Sequence, residues 1–413
     1  MAVADSILIR GASLVDPASG EVHPDRSILV EGHNVREVGG PELESPESEV
    51  LDARGMFVMP GLIDCHVHVT AVTADLAAMA SWAPSYVTAR AAHVLSDMLQ
   101  RGFTTVRDVA GADFGLAAAI DEGYLTGPRL IFGGKALSQT GGHGDWRSPG
   151  QTAFDPCYCC SGLGVICDGV AEVRRAARDE IRKGAHHVKL MVSGGVASPT
   201  DRVDSTQFAD EEIRAAVEEA EAANIYVTAH AYTSRAINRA LKVGVRTIEH
   251  GNLMDDSSLP LFEETGAFYV PTLATYSSLA ARGIEFGLPE ASHRKVFDVL
   301  ESGLHALELA HEAGIPIAYG TDLLGGMHED QLTEFEIRSQ VQSPEEILRS
   351  ATTVAARLLR MEGKVGTISA GSYADLLVVD RNPLEDVRHL THPGERLRLI
   401  MARGTIVKNL LQT

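Results

Sequence analysis

Eight short apolar runs recur through the middle of this chain, separated by helix-like stretches. They are GLIDCHVHV (61–69), TTVRDVA (104–110), RLIFGG (129–134), HHVKLMVSG (186–194), IYVTAHA (225–231), TIEHG (247–251), AFYVPTL (267–273) and IPIAYGTD (315–322). Runs that are apolar on both faces suit strands of a parallel sheet covered by helices. Eight βα units in about 260 residues match a (β/α)8 TIM barrel in number and size. Between two of them, ADEEIRAAVEEAEAAN (209–224) puts acids at a helix start and Ala, Ile and Val on a buried stripe. The stretch from Ser138 to Val170 is too long for a simple loop and predicts a functional excursion at the barrel mouth.

The two ends read differently. Residues 6–58 and the stretch KVGTISAGSYADLLVVD followed by LRLIMARGTIVK carry β-branched runs broken by Gly, Asp and Pro turns. A small β-sandwich built from both termini is the economical expectation. The chain then divides into 1–58 with 364–413 for the sandwich and 59–363 for the barrel, an α/β protein.

Charge and composition narrow the partners. The chain carries 36 Lys+Arg against 56 Asp+Glu, a formal charge of −20. Such a surplus repels nucleic-acid backbones and anionic membrane surfaces, so neither is expected as a partner. No apolar stretch approaches the roughly 18 residues that would span a bilayer. The start, MAVADSILIR, lacks a basic region followed by an apolar core, so a cytoplasmic protein is expected. Four of the five cysteines fall close together, at Cys157, Cys159, Cys160 and Cys167. Structural zinc usually shows two separated Cys-x(2–4)-Cys pairs, and C-x-C-C-x6-C does not, so reduced thiols are the expectation.

Chemistry-bearing residues collect at one end of the predicted strands. His66 and His68 are one residue apart on a strand, so their imidazoles share a face, as two metal ligands would need. Lys189 lies in the otherwise apolar HHVKLMVSGG, where a buried ammonium is costly unless paired or modified. His230 is near the end of IYVTAHA, His250 near the end of TIEHG, and Asp322 closes IPIAYGTD. Each has a plainer explanation: a hydrogen-bonded core histidine, a paired lysine, or a helix-capping aspartate. Together they fall at the C-terminal side of strands one, four, five, six and eight, the rim where such barrels build active sites.

At these residues the sequence resembles the metal-dependent amidohydrolase superfamily, over nearly its whole length. MPGLIDCHVH, VKLMVSGG, VTAHAY, TIEHGN and GTDLL occur in the expected order. Likeness to the binuclear subtype implies two divalent metal ions, commonly zinc, held by His66, His68, Lys189, His230, His250 and Asp322. It also implies that Lys189 is carboxylated by CO2 and that the carbamate bridges the metals. A carbamate is an anionic oxygen donor, whereas an ammonium repels metal. The ions would lower the pKa of a bridging water from about 16 toward about 7. Asp322 would take its proton during attack on a carbonyl and return it to the leaving nitrogen.

Within the superfamily, LSQTGGHGD (137–145), KLMVSGGVASPTD (189–201) and VTAHAYT (227–233) resemble the prolidase-like dipeptidases, which hydrolyse Xaa-Pro or related dipeptides. The resemblance implies a small dipeptide substrate contacted by His143 and Tyr232. His328, in DLLGGMHED, either lines the pocket or caps the next helix. The alternative is an amidase or carboxypeptidase on N-acyl amino acids, including mycotoxin amides such as ochratoxin. A deaminase is disfavoured by Lys189, and a non-catalytic scaffold by the presence of all six ligands. Asp64 shares the parity of the paired histidines and could orient a ligand, Cys65 should pack away from them, and His187 reads as a core histidine. Homo-oligomers are common in the family.

Overall fold

The computed structural model describes residues 6–151 and 161–411. Cys157, Cys159 and Cys160 lie outside the described residues. Cys167 is a buried free thiol, and burial pushes it up to about 12.

The described chain divides into two compact units. One contains the residues up to Asp64, Ser96–Thr105, and the chain from Phe335 onward. Its sheet runs in the order Thr405–Asn409, Leu397–Ala402, Leu376–Val379, Phe57–Pro60, Ser6–Asp16, Glu21–Glu31, Asn34–Gly39. The two termini are therefore joined by the antiparallel pairing of Leu376–Val379 with Phe57–Pro60. Ser6–Asp16 is shared: Ile7–Arg10 pair with Glu49–Asp52, and Ser13–Leu14 pair with Phe57–Val58. The sheet forks there. Alternate residues, among them Ile7, Ile9, Ile28, Val30, Val58, Leu376, Val378 and Leu399, bury one face in a common apolar core.

The second unit comprises Cys65–Leu95 and Val106–Glu334. Its main sheet aligns His187–Met191, Tyr226–Thr233, Thr247–Leu253 and Phe268–Val270 in parallel, with Ala136–Ser138 and Gly164–Ile166 on the other side. Leu62–Val67, Phe103–Asp108 and Arg129–Phe132 form a separate three-stranded sheet. The strands Leu62–Val67, Phe103–Asp108 and His187–Met191 are buried along their full length, as expected of sheet covered on both faces. The helix Asp210–Ala222 begins with three acids and buries Ile213, Ala216, Val217 and Ala220, the spacing of one helical face.

The eighth run differs from expectation. Residues 315–322 form a single parallel bridge, Tyr269 with Ile317, not a full strand. The segment is nevertheless held on both sides. Tyr269 N–H donates to Pro316 O at 3.0 Å and Ala318 N–H to Tyr269 O at 2.9 Å, while Cys65 N–H donates to Tyr319 O at 2.8 Å. The segment ends at Asp322, whose φ of 54° lies in the left-handed region. Among the described residues, no helix is long and apolar enough to cross a membrane.

Candidate metal centre and pocket

Strand ends in the second unit bring the predicted ligands together. Parallel register places Lys189 beside Thr228, His230 beside Glu249 and Ala231 beside His250. Nε2 of His66 and of His68 converge on Asp322 Oδ1 at 3.3 and 3.1 Å, and His250 Nδ1 lies 3.8 Å from Asp322 Oδ2. His66, His68 and Asp322 could hold a metal ion, since their ligand atoms all lie within 4.8 Å of one another. The rings of His66 and His250 are 4.9 Å apart, and those of His230 and His250 4.5 Å apart.

Hydrogen bonds fix which nitrogen each imidazole can offer. His66 Nδ1 is 2.7 Å from a Glu249 carboxylate oxygen, and His68 Nδ1 is 2.8 Å from the Ala110 carbonyl. Both partners only accept, so each Nδ1 carries a proton and Nε2 is the nitrogen that each ring turns toward Asp322. His230 is reversed: Nε2 donates to the Gly194 carbonyl at 3.0 Å, leaving Nδ1. His250 Nδ1 meets Thr272 Oγ1 at 2.8 Å. Outer partners of this kind orient histidine ligands in metal sites.

Electrostatics suit cation binding. Burial works against the charge on Asp322, but His66, His68 and His250 outweigh it and hold the carboxyl well below its usual range. Burial lowers His230 and His250 far below the ordinary imidazole value, so both are neutral donors. Lys189 is 1% exposed and its Nζ has no hydrogen-bond partner among the described residues. Burial pulls its amine down to about 8, against the attraction of Glu249 and Asp322.

Three positions near the site have left-handed backbone: His250 (φ 75°), Thr272 (φ 50°) and Asp322 (φ 54°). For a β-branched residue such as Thr272 this is a true outlier, and strain of this kind clusters at functional sites. Gly320 permits the close approach beside Asp322, because a Cβ there would sit 2.9 Å from His66 Cβ and 2.4 Å from Val270 Cγ1.

A pocket opens over this cluster. His68, His143, His230, Tyr232 and Asp322 supply its polar wall, and Leu76, Trp146, Leu163, Val196, Leu279 and Leu324 its apolar one. The 138–170 excursion thus contributes His143, Trp146 and Leu163. Burial takes His143 down to about 4 and raises the Tyr232 phenol, so both are neutral near pH 7. His328 is not among the lining residues; its Nε2 lies 3.2 Å from the Ala71 carbonyl. His187 is buried and stacked on Tyr226, 5.7 Å between ring centroids, with no hydrogen-bond partner for either ring nitrogen among the described residues. Cys65 is buried, and Asp64 is buried in the other unit.

Four contributors were not singled out from the sequence. Glu249 is completely buried between His66 and Arg107, whose Nη2 it accepts at 2.8 Å, and Thr228 and Thr247 donate to it as well. Asp108 accepts from Val69 N at 2.7 Å and Ala112 N at 3.0 Å, bracing the turn after His68, and burial pushes it up to about 6. Tyr276 lines the pocket and donates to the Tyr232 hydroxyl at 3.1 Å. The signal for Glu249, Arg107 and Asp108 was present: each is a charged residue inside an apolar strand run, the same anomaly that exposed Lys189.

Known proteins are similar to this chain over nearly its whole length. A crystal structure of a prolidase complexed with N-methylphosphonate-L-proline superposes with a TM-score of 0.95 at 48% identity, covering 98% of this chain and 100% of that one. A Xaa-Pro dipeptidase with methionine bound in its active site gives a TM-score of 0.88 at 30% identity, covering 98% and 100%. The ochratoxinase of Aspergillus niger is 33% identical over 399 residues, 92% of this chain and 83% of that protein. Residues 57–407 match the Amidohydrolase family, and the chain belongs to that family.

Proposed function

We propose that the protein is a binuclear metal-dependent dipeptidase that hydrolyses the amide bond of small Xaa-Pro or similar dipeptides. The observation that carries this reading is Lys189. A buried amine attracted by Glu249 and Asp322, with no hydrogen-bond partner among the described residues and pulled down to about 8, is a poor structural element. It is well suited to carboxylation, because the unprotonated amine is the form that reacts with CO2. The donor set fits a metal pair: His66 and His68 would offer Nε2, His230 would offer Nδ1, and His250, Asp322 and carboxylated Lys189 would complete it. Bound there, two divalent ions, zinc by family likeness, would act as Lewis acids on the carbonyl oxygen and acidify a water.

The chain's own residues supply the rest. Asp322, kept ionised, accepts the proton of the attacking water on a carboxylate oxygen and delivers it to the leaving nitrogen. His143 and Tyr232, both neutral, bind and orient the substrate's polar groups. Leu76, Trp146, Leu163, Val196, Leu279 and Leu324 exclude water and accept an apolar ring or side chain. That apolar wall also supports a second reading, an amidase on N-acyl aromatic amino acids, which the Aspergillus niger ochratoxinase brings into view.

We also read the parallel strands as one (β/α)8 barrel spanning 59–363, closed through the 315–322 segment. Residues 1–58 and 364–413 would make the β-sandwich. His186 N–H donating to Phe132 O at 2.9 Å supports continuity between the two sheets. A cytoplasmic homo-oligomer is the proposed state, which cell fractionation and light scattering would test.

The deciding experiment is a panel of Xaa-Pro dipeptides, other dipeptides and N-acyl aromatic amino acids, assayed before chelation, after chelation and after zinc is restored. Chelator-sensitive, zinc-restored turnover of Xaa-Pro substrates is expected. Turnover indifferent to metal would sink the proposal, and turnover of N-acyl aromatic amino acids alone would favour the second reading.

A further inference from the structure

His143 is stacked on His230, with centroids 4.2 Å apart and planes at 25°. The groups behind it determine its orientation. His143 Nδ1 lies 2.8 Å from Ser198 Oγ, and the Ser198 hydroxyl donates to Asp201 Oδ1. The other Asp201 oxygen accepts from Gly195 N at 3.0 Å and Gln207 Nε2 at 3.1 Å, while Gln207 Oε1 accepts the His143 backbone N–H at 2.9 Å. Lys295, on the helix Glu290–Glu312, donates to the carbonyls of Gly195, Ser198 and Asp201 at 3.1, 2.8 and 2.7 Å. Its Nζ is also 3.5 Å from Asp201 Oδ1. The ring fits only because residue 195 is glycine, where a Cβ would sit 2.1 Å from His143 Cε1.

Counting protons fixes the tautomer. Asp201 accepts from two N–H donors and the Ser198 hydroxyl, with Lys295 Nζ 3.5 Å away, and a carboxylate only accepts. The single Ser198 proton is then committed to Asp201, so Ser198 Oγ can only accept from the ring. Nδ1 must carry the His143 proton. Nε2, which has no partner among the described residues, is left for the substrate.

We propose that Ser198, Asp201 and Lys295 are positioning residues that fix the Nδ1–H tautomer of His143 and hold its ring against His230. Lys295 ties the 195–201 loop to a helix distant in sequence, Asp201 orients the Ser198 hydroxyl, and Ser198 orients the imidazole. The kinetic consequence rests on the dipeptidase reading; the tautomer itself does not.

Two measurements test it. Nitrogen-15 histidine spectra of the metal-loaded, full-length protein, with His143 assigned by its loss in His143→Ala, should show the proton on Nδ1 and its displacement in Ser198→Ala. A wild-type proton on Nε2 would overturn the proposal. On an Xaa-Pro dipeptide, Ser198→Ala and His143→Ala should each lower kcat/KM on the order of tenfold, the scale of one good hydrogen bond. The double variant should be no worse than His143→Ala, and Ser198→Thr should restore activity. Losses that multiply in the double variant would contradict positioning through His143. If Ser198→Ala does not fold, Lys295→Met takes its place in the same cycle. Absence of Xaa-Pro turnover in the wild type would sink the dipeptidase reading and leave the tautomer result to stand or fall alone.

Discussion

Glu249 holds Nδ1 of His66 at 2.7 Å, between two side chains that are both fully buried. Burial opposes the carboxylate charge, yet Arg107 and His66 prevail and keep Glu249 well below its usual range. Removing one partner of a buried charge network costs about 3–5 kcal/mol. Glu249→Ala should therefore destabilise the fold by that order in urea titrations. Glu249→Gln should spare more stability but weaken metal affinity by roughly 10–100-fold, the range seen when a ligand histidine loses its outer partner. Unchanged metal affinity in Glu249→Gln would mean that His66 needs no orienting carboxylate.

Lys189→Met should keep the fold, because an apolar chain of similar length replaces an amine that has no hydrogen-bond partner among the described residues. It should abolish metal-dependent turnover and lower the bound metal per chain, read by elemental analysis. The metal-free, uncarboxylated wild type has a further signature. Burial lowers Lys189 from 10.5 to about 8, so between those values the unfolded chain holds a proton that the folded one lacks. Stability of that form should rise with pH across this window, and Lys189→Met should flatten the rise.

Tyr276 donates to the Tyr232 hydroxyl at 3.1 Å, and both rings are buried. Tyr232→Phe should raise KM for dipeptides about tenfold or more by removing a substrate-facing hydroxyl. Tyr276→Phe, one step removed, should cost less. Equal losses in the two variants would place Tyr276 itself against the substrate.

Cys167 offers a chemical check on packing. Its thiol is raised from 9.0 to about 12 by burial, so little thiolate exists near pH 8. Alkylation followed by mass spectrometry should leave it unmodified in the native state and modified in urea. The raised value also means that its contribution to stability is intact below about 9 and is lost as pH rises toward about 12.

Much of this site was legible from strand periodicity. His66 and His68 share a face because side chains alternate, Lys189 falls within an apolar run, and His230 and His250 fall near the ends of theirs, so the sequence determined which strands carry the candidate ligands. Alternation also assigns Glu249 and His250 to opposite faces, yet Glu249 braces His66 while His250 approaches Asp322. The left-handed backbone at His250 and Asp322 departs from regular strand geometry at these two residues. No local rule predicts such a conformation for a histidine or an aspartate, because it costs energy that only surrounding contacts recover. The tautomers, the partners Ala110, Gly194 and Thr272, and the Lys295–Asp201–Ser198 chain behind His143 were likewise decided by tertiary structure. Apart from Ser198 with Asp201, they join residues tens of positions apart or more, and periodicity along one strand carries no information about which distant carbonyl or carboxylate will meet it.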